Sequence, residues 1–252
     1  MYKIFANTLF LGQRLVFVPE CHSTNSLTSE LTSQSSLSDG TVVITSNQTA
    51  GRGQRGNTWE TDAGANLTFS ILLKPIFISL GNQFFLTIVT SLAVSDFLKT
   101  QSAKEIKIKW PNDILVNKKK CCGILIENSI QAASIKQSIV GIGLNINQKK
   151  FTSSLATSLA IVAQRDFDLN EVLNALLVKF ENRYLQLRAG KYEALKKEYL
   201  ENLFGLGELR AFISNDEKFE GIIENVNENG ELAVSVNGKR KNFRLKEISF
   251  DC

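Results

Sequence analysis

The segment Gly51-Arg52-Gly53-Gln54-Arg55-Gly56-Asn57-Thr58-Trp59 brings glycines, two guanidinium groups and an indole together within nine residues. Glycines let a backbone approach a ligand closely and leave its N–H groups free. Such a loop can wrap a phosphate and cover a flat ring. Its Gly51, Gly53 and Gly56 also match G-x-G-x-x-G, a spacing that binds dinucleotides only between a strand and a helix. The β-branched run Thr41-Val42-Val43-Ile44-Thr45 supplies the strand. Asn57 to Gly64 has no apolar period and ends in a turn signal, so the helix is missing and the dinucleotide reading is rejected. The loop also lacks the Lys-Ser/Thr ending of a P-loop, which excludes that class of nucleotide hydrolase.

Four further segments accompany the loop. They are Ser23-Thr24-Asn25, Lys109-Trp110-Pro111-Asn112-Asp113, Lys120-Cys121-Cys122-Gly123-Ile124-Leu125-Ile126-Glu127 and Gly141-Ile142-Gly143-Leu144-Asn145. In this order, over about half of the chain, the set resembles the biotin–protein ligases. Each motif alone is weak; their order is the signal.

The resemblance implies a reaction. A carboxylate is joined to the α-phosphate of ATP, giving biotinyl-AMP and pyrophosphate, and a lysine of a biotin carboxyl carrier protein domain then attacks the acyl carbon. The substrates are ATP and biotin, with Mg²⁺ arriving on the ATP and keeping water ligands; no protein metal ligands are assigned. The first step needs fixed cations and N–H donors aimed at phosphoryl oxygens. It needs no side-chain nucleophile, which suits a chain with one histidine, His22.

By the same resemblance, Lys120 is the central cation, at the carboxylate and α-phosphate; read by itself it is a solvated hairpin lysine beside Lys118 and Lys119. Arg55 and Asp113 join it as candidate catalytic residues, with Asp113 placed to organise the acceptor lysine or Mg²⁺. Ser23, Thr24, Asn25 and Gln48 are expected at biotin, where hydroxyls and amides match a neutral ureido ring. Gly51, Arg52 and Gly53 close over it, and Gly123 and Ile124 form the wall along its tail. Gln54, Arg55, Asn57 and Asn112 are expected at the adenylate, with Gly141, Gly143 and Asn145 framing the adenine side. Trp59 either lies against the ligand or is a core tryptophan. Asn112 and Asp113 also read as turn residues, Ser23 as a helix cap, and Gly141 and Gly143 as a bulged or tightly packed strand. Gln54 and Asn57 depart from a family loop that often carries arginine at both positions.

These residues need a scaffold. A chain of 252 residues, 43% apolar and 21% charged, can bury a large domain and a small one. The net charge of +4 is mild and its basic residues are spread out, apart from Lys118-Lys119-Lys120 and Lys239-Arg240-Lys241. No zinc-ligand spacing occurs among Cys21, Cys121, Cys122 and Cys252. The adjacent pair alternates faces in a strand and is read as plain thiols. Cysteine usage suits a reducing cytoplasm. Asn7, Thr8, Gly12, Gln13 and Arg14 interrupt the apolar N-terminus, so it is not a signal peptide, and no run reaches a membrane span.

The pattern predicts a helix over Ser26–Leu31, a buried strand over Leu67–Leu73, and a helix from Asn82, as N-cap, to Lys99. Ile106–Trp110 and Ile114–Val116 form a hairpin, and Cys122–Ile126 and Ser138–Asn145 are two buried strands. One or two helices fill Asn170–Leu200, broken near Ala189-Gly190. Short strands follow at Glu208–Ile213, Gly221–Val226, Glu231–Val236 and Asn242–Leu245, with Asn229-Gly230 and Asn237-Gly238 as type I′ turns. No regular βαβ alternation appears, so the class is α+β with a mostly antiparallel sheet. The resemblance implies a class II tRNA-synthetase-like catalytic domain at residues 1–204 and a small SH3-like β-barrel at 205–252.

Ser23-Thr24-Asn25 comes too early for the DNA-binding domain that precedes the ligase in many bacterial relatives. The expectation is a ligase without repressor function, with no nucleic-acid or membrane partner, as a monomer or homodimer. The rivals are a lipoate or octanoate ligase or transferase of the same fold, a nucleic-acid-binding module using the barrel and basic triplets, and a degenerate ligase kept as a binding protein. The first carries an Arg-Arg…Gly-Gly-Gly…His-Asp signature that is not found here.

Overall fold

The fold is described from a computed structural model covering residues 2–3, 7–102, 104–131 and 134–251, without the side chain of Arg55. Arg55 as a catalytic side chain, and Cys252, therefore lie outside the described groups.

Strand β1 (Leu15–Cys21) runs into helix α1 (Thr24–Gln34) and returns as β2 (Val42–Gln48). After the glycine loop come β3 (Leu67–Leu73), α2 (Phe85–Gln101), β4 (Ile106–Lys109), β5 (Asp113–Val116), β6 (Lys119–Gln131) and β7 (Ser134–Leu144). These strands form one seven-stranded sheet in the order β1-β2-β3-β7-β6-β5-β4. Every pairing is antiparallel except β1 with β2.

The sheet has two unlike faces because side chains alternate along each strand. On β3, Phe69 and Ile71 join the main core, which includes α2 and α4 (Leu169–Arg188). Thr68 and Ser70 point the other way, and Leu72 packs with Leu37 and Ile139 in a small second cluster. Helix α1 lies against β2, β3 and β7, and α2 packs on β4, β5 and β6. The whole of β3 is buried because neighbours flank it and both faces are covered.

The helical frame is braced by charge and by a carboxylate clamp. Arg183 on α4 reaches Asp96 on α2 and Glu198 on α5 (Tyr192–Glu201), at 2.7 Å each. Buried Glu181 accepts the backbone N–H groups of Leu9, Phe10 and Leu11 at 2.7, 2.9 and 3.0 Å, which pins the N-terminal loop to α4.

Several expectations change in detail. Leu67–Leu73 holds at both ends. Helix α2 begins at Phe85, because Leu80–Asn82 winds as a 3₁₀ turn; Asn82 is not the N-cap. Helix α1 extends past both ends of Ser26–Leu31. A short helix α3 (Leu159–Ala163) went unseen in the sequence. Asn237-Gly238 has both φ angles positive, as type I′ requires, whereas at 229–230 only Gly230 does. Asn117-Lys118 and Asn215-Asp216 adopt that left-handed pair without glycine, a conformation asparagine and aspartate tolerate.

The C-terminal strands β8 (Leu209–Ser214), β9 (Glu217–Val226), β10 (Leu232–Val236), β11 (Lys239–Phe243) and β12 (Ser249–Phe250) form a second sheet in the order β11-β10-β9-β8-β12. Its outer strands β11 and β12 are not paired, so the expected barrel is an open five-stranded sheet. Aromatic rings fill its inner face, with Phe212 against Phe219 and Phe250. The sheet docks on the first through the Trp110 indole, which donates to Gly230 O at 3.0 Å. Phe84 also packs on Gly230, where a Cβ would meet its ring. No helix among the described residues is long and apolar enough to cross a membrane.

Candidate active site

The register of the first sheet builds the floor of the site. Thr68 on β3 pairs with Gly143 on β7, Gly143 with Gly123 on β6, and Gly123 with Asp113 on β5. Two rungs further, on the same face, Ser70 pairs with Gly141 and Gly141 with Leu125. Two adjacent strands thus present glycines where side chains would otherwise stand. The result is a trough in the face turned away from the main core.

The indole of Trp59 roofs this trough. A Cβ on Gly123 would come within 2.9 Å of its ring, and one on Gly143 would run into several ring atoms. Trp59 is only partly buried, and its buried Nε1 makes no hydrogen bond among the described residues. The core tryptophan is Trp110, 3% exposed. The glycine loop is a small hairpin: Arg52 bridges Thr58, Gly53 N–H donates to Asn57 O at 2.7 Å, and Trp59 N–H to Gly51 O at 2.9 Å. A 3₁₀ turn at Gln54–Gly56 forms its tip, and no helix follows.

At one end of the trough the polar groups are neutral and cross-linked. Gln48 Oε1 accepts from Thr24 N–H at 2.9 Å and from the Thr24 hydroxyl at 3.3 Å. Ser70 Oγ lies 2.8 Å from Thr24 Oγ1 and donates to Asn25 Oδ1 at 2.6 Å. Ser23 occupies the N-cap position of α1, yet its hydroxyl makes no cap bond. Gly141, expected on the adenine side, lies beneath the Asn25 amide and leaves no room there for a Cβ.

At the other end the groups are charged. Lys120 Nζ lies 2.7 Å from Asp113 Oδ1 and 5.7 Å from the centre of the Trp59 ring. Lys118 and Lys119 are exposed, whereas Lys120 is partly buried and turns into the site. Asn112 is 9% exposed and donates to Ile124 O at 2.7 Å, tying the turn to β6.

One cavity is lined by Ser23, Thr24, Asn25, Gln48, Arg52, Gly53, Gln54, Asn57, Trp59, Asn112, Asp113, Lys120, Gly123, Ile124, Gly141 and Gly143, all singled out in the sequence. Gly51 sits behind it, against the Trp59 carbonyl. Asn145 does not line it; it donates to Thr157 O at 3.0 Å, and its Oδ1 is buried without a partner among the described residues. Thr58, Thr68, Leu125 and Ile142 line the cavity without having been singled out. Thr68 and Ser70 alternate with Phe69 and Ile71, and that polar-apolar alternation was the available signal for a two-faced strand.

The thiols stand apart from this chemistry. Burial alone pushes Cys121 up to about 12, and burial, with smaller contributions from Cys121 and Asp113 against an opposing one from Lys120, raises Cys122 well above the ordinary thiol value. His22 lies on the surface, 2.9 Å from the Thr49 hydroxyl.

Fold and trough together define an α+β domain with a cleft that is neutral and hydrogen-bonding at one end and charged at the other. The family model described as "Biotin/lipoate A/B protein ligase family" matches residues 18–145, and the chain belongs to that family. It is 32% identical, over 96% of its length and 75% of the relative's, to the bifunctional ligase/repressor BirA of Bacillus subtilis strain 168. It is 29% identical to the biotin–[acetyl-CoA-carboxylase] ligase of Mycobacterium tuberculosis, over 80% of this chain and 75% of that one. The biotin protein ligase of Aquifex aeolicus in complex with biotin and ATP superposes with a TM-score of 0.79 at 28% identity, covering 94% of this chain and 98% of that one.

Proposed function

We propose that this chain is an ATP-dependent biotin–protein ligase that makes biotinyl-5′-AMP and passes biotin to a lysine of a biotin carboxyl carrier protein domain. The observation that carries the proposal is the single rung Thr68–Gly143–Gly123–Asp113. It leads from a neutral polar floor to a lysine–aspartate pair along a groove without side chains.

The ureido ring sits at the Ser23, Thr24 and Gln48 end, and the valeryl tail lies over Gly123 beneath Trp59. A lipoate or octanoate ligase would need an apolar floor where Thr24, Asn25 and Ser70 stand. The biotin carboxylate then reaches Lys120. Its oxygen attacks the α-phosphorus of ATP, the bond to the bridging oxygen breaks, and pyrophosphate leaves with its electron pair. Lys120 exchanges Asp113 for the carboxylate and α-phosphate, and so balances charge that builds on phosphoryl oxygens. In the second step the carrier amine attacks the acyl carbon and AMP departs; Asp113, freed from Lys120, stands ready to hold the ammonium proton.

Arg52, Arg55, Gln54, Asn57 and the N–H groups at Gly51 and Gly53 close over the intermediate. The unpaired Asn145 Oδ1 is the acceptor assigned to the adenine amino group, because a buried acceptor calls for a donor. Mg²⁺ enters as MgATP. The ion arrives with phosphate and water as its ligands. Residues 1–204 carry this chemistry and 205–252 form the appended domain. The reaction is placed in the cytoplasm, where ATP and reduced thiols coexist.

Incubation with biotin, MgATP and a biotin carboxyl carrier domain, followed by mass spectrometry, tests the transfer. One biotinyl group on one lysine is expected. An unmodified carrier after biotinyl-AMP has formed would contradict the assigned acceptor.

A further inference from the structure

Adenylation as derived above leaves one carboxylate beside the trough unused. Glu127 lies on β6 two residues beyond Leu125, on the same face as Gly123. A single oxygen, Oε2, accepts from Asn25 Nδ2 at 2.8 Å and from Arg52 at 2.7 Å. Asn25 belongs to the floor and Arg52 to the loop. Hydrogen bonds therefore run from Ser70 to Asn25, and from Asn25 and Arg52 to Glu127, with Thr24 and Gln48 in contact at the floor end.

We infer that Glu127 is a positioning residue that latches the Gly51–Trp59 loop to the biotin floor and so couples occupation of the floor to loop closure. The inference rests on the ligase reading.

The two bonds to Glu127 differ in kind. Asn25 is 3% exposed and confined by Gly141 and Ser70, so it presets where the carboxylate stands. The side chains of Arg52 and Glu127 are 44% and 41% exposed. An ion pair so open to water is weak and screened by salt. It can break and re-form, as a latch must. Arg52 also borders three cavities: the trough, a groove along α1, and a cleft toward Leu245 and Lys246. Breaking the pair removes the wall between them. A ligand shifts such an open–closed balance only by contacts that differ between the two states. Biotin hydrogen-bonded to Thr24 or Asn25 supplies that difference, because it fixes the groups that hold Glu127.

The test compares biotin-dependent ATP–pyrophosphate exchange by the wild type and Glu127→Gln, at low and high potassium chloride. Glu127→Gln should raise the biotin KM roughly tenfold, in the range of site-to-site coupling, with kcat at saturating biotin within about twofold. The wild-type KM should climb with salt and the variant KM should not. Biotin should slow trypsin cleavage after Arg52 in the wild type and lose that effect in Glu127→Gln. An unchanged KM in the variant, or a loss of kcat and Tm at constant KM, would overturn the latch. A wild type inactive with biotin would overturn the ligase reading, and the latch with it.

Discussion

Gly123 and Gly143 are cross-strand partners, and the indole of Trp59 lies over both. Residues twenty positions apart in the sequence thus make one bare strip of sheet, and a residue from a distant loop covers it. On this strip a chain of methylenes has room to lie flat between the polar floor and Lys120.

Gly143→Ala tests the strip. The new Cβ would displace the Trp59 ring and leave the sheet register unchanged, because the ring belongs to a loop. Biotin-dependent activity should fall at least tenfold, about 1.4 kcal/mol or more in transition-state binding. Tm should stay near the wild-type value, and tryptophan fluorescence should report a more exposed indole.

Lys120→Ala should lower the rate of adenylate formation by about 100- to 1000-fold, as loss of one preorganised donor does. Circular dichroism should be unchanged, since the partly exposed side chain meets Asp113 and the Trp59 ring rather than the core. Near-normal exchange would return Lys120 to the solvated hairpin reading.

Glu181→Ala addresses the frame. It strips three backbone N–H groups of a buried charged acceptor, at a cost of about 3 kcal/mol. In a chain of this size Tm should drop by roughly 6–12 °C. The biotin KM should not move, because the clamp lies away from the trough.

Alkaline pH should destabilise the protein through its buried thiols. The ordinary thiol value is 9.0, and burial holds Cys121 near 12. Between those values the unfolded chain loses the proton and the native chain keeps it, so stability is full below about pH 9 and falls as pH rises. Each thiol contributes a slope of at most ~1.4 kcal/mol per pH unit. Cys121→Ala should flatten the alkaline limb of a denaturant-unfolding series, at the cost of a lower plateau.

Much of this was legible in the chain. Leu67–Leu73 was found to the residue, because every side chain is apolar or small and Lys74-Pro75 ends it. Helix α2 was found through its 3.6-residue period, but its start was missed: Leu80–Asn82 forms a separate 3₁₀ turn that no local cap signal distinguishes. The second sheet was read as short strands, but its strand order was not legible: β12 follows β11 closely in the chain yet pairs with β8 at the opposite edge. At the site, residue types named Lys120, Gly123 and Gly143. What they could not give was register. That Thr68 faces the cavity, that Ser70 and Gly141 serve Asn25, and that one oxygen of Glu127 joins floor to loop follow from which strand lies beside which.

What the trough accepts decides between the ligases that share this fold. ATP–pyrophosphate exchange, with biotin, lipoate and octanoate offered separately, tests this most directly. Exchange with biotin and with neither of the others is the predicted result. Exchange with lipoate or octanoate but not biotin would keep the fold and contradict the polar floor as a ureido site. No exchange with any of the three would contradict the adenylation chemistry assigned to Lys120.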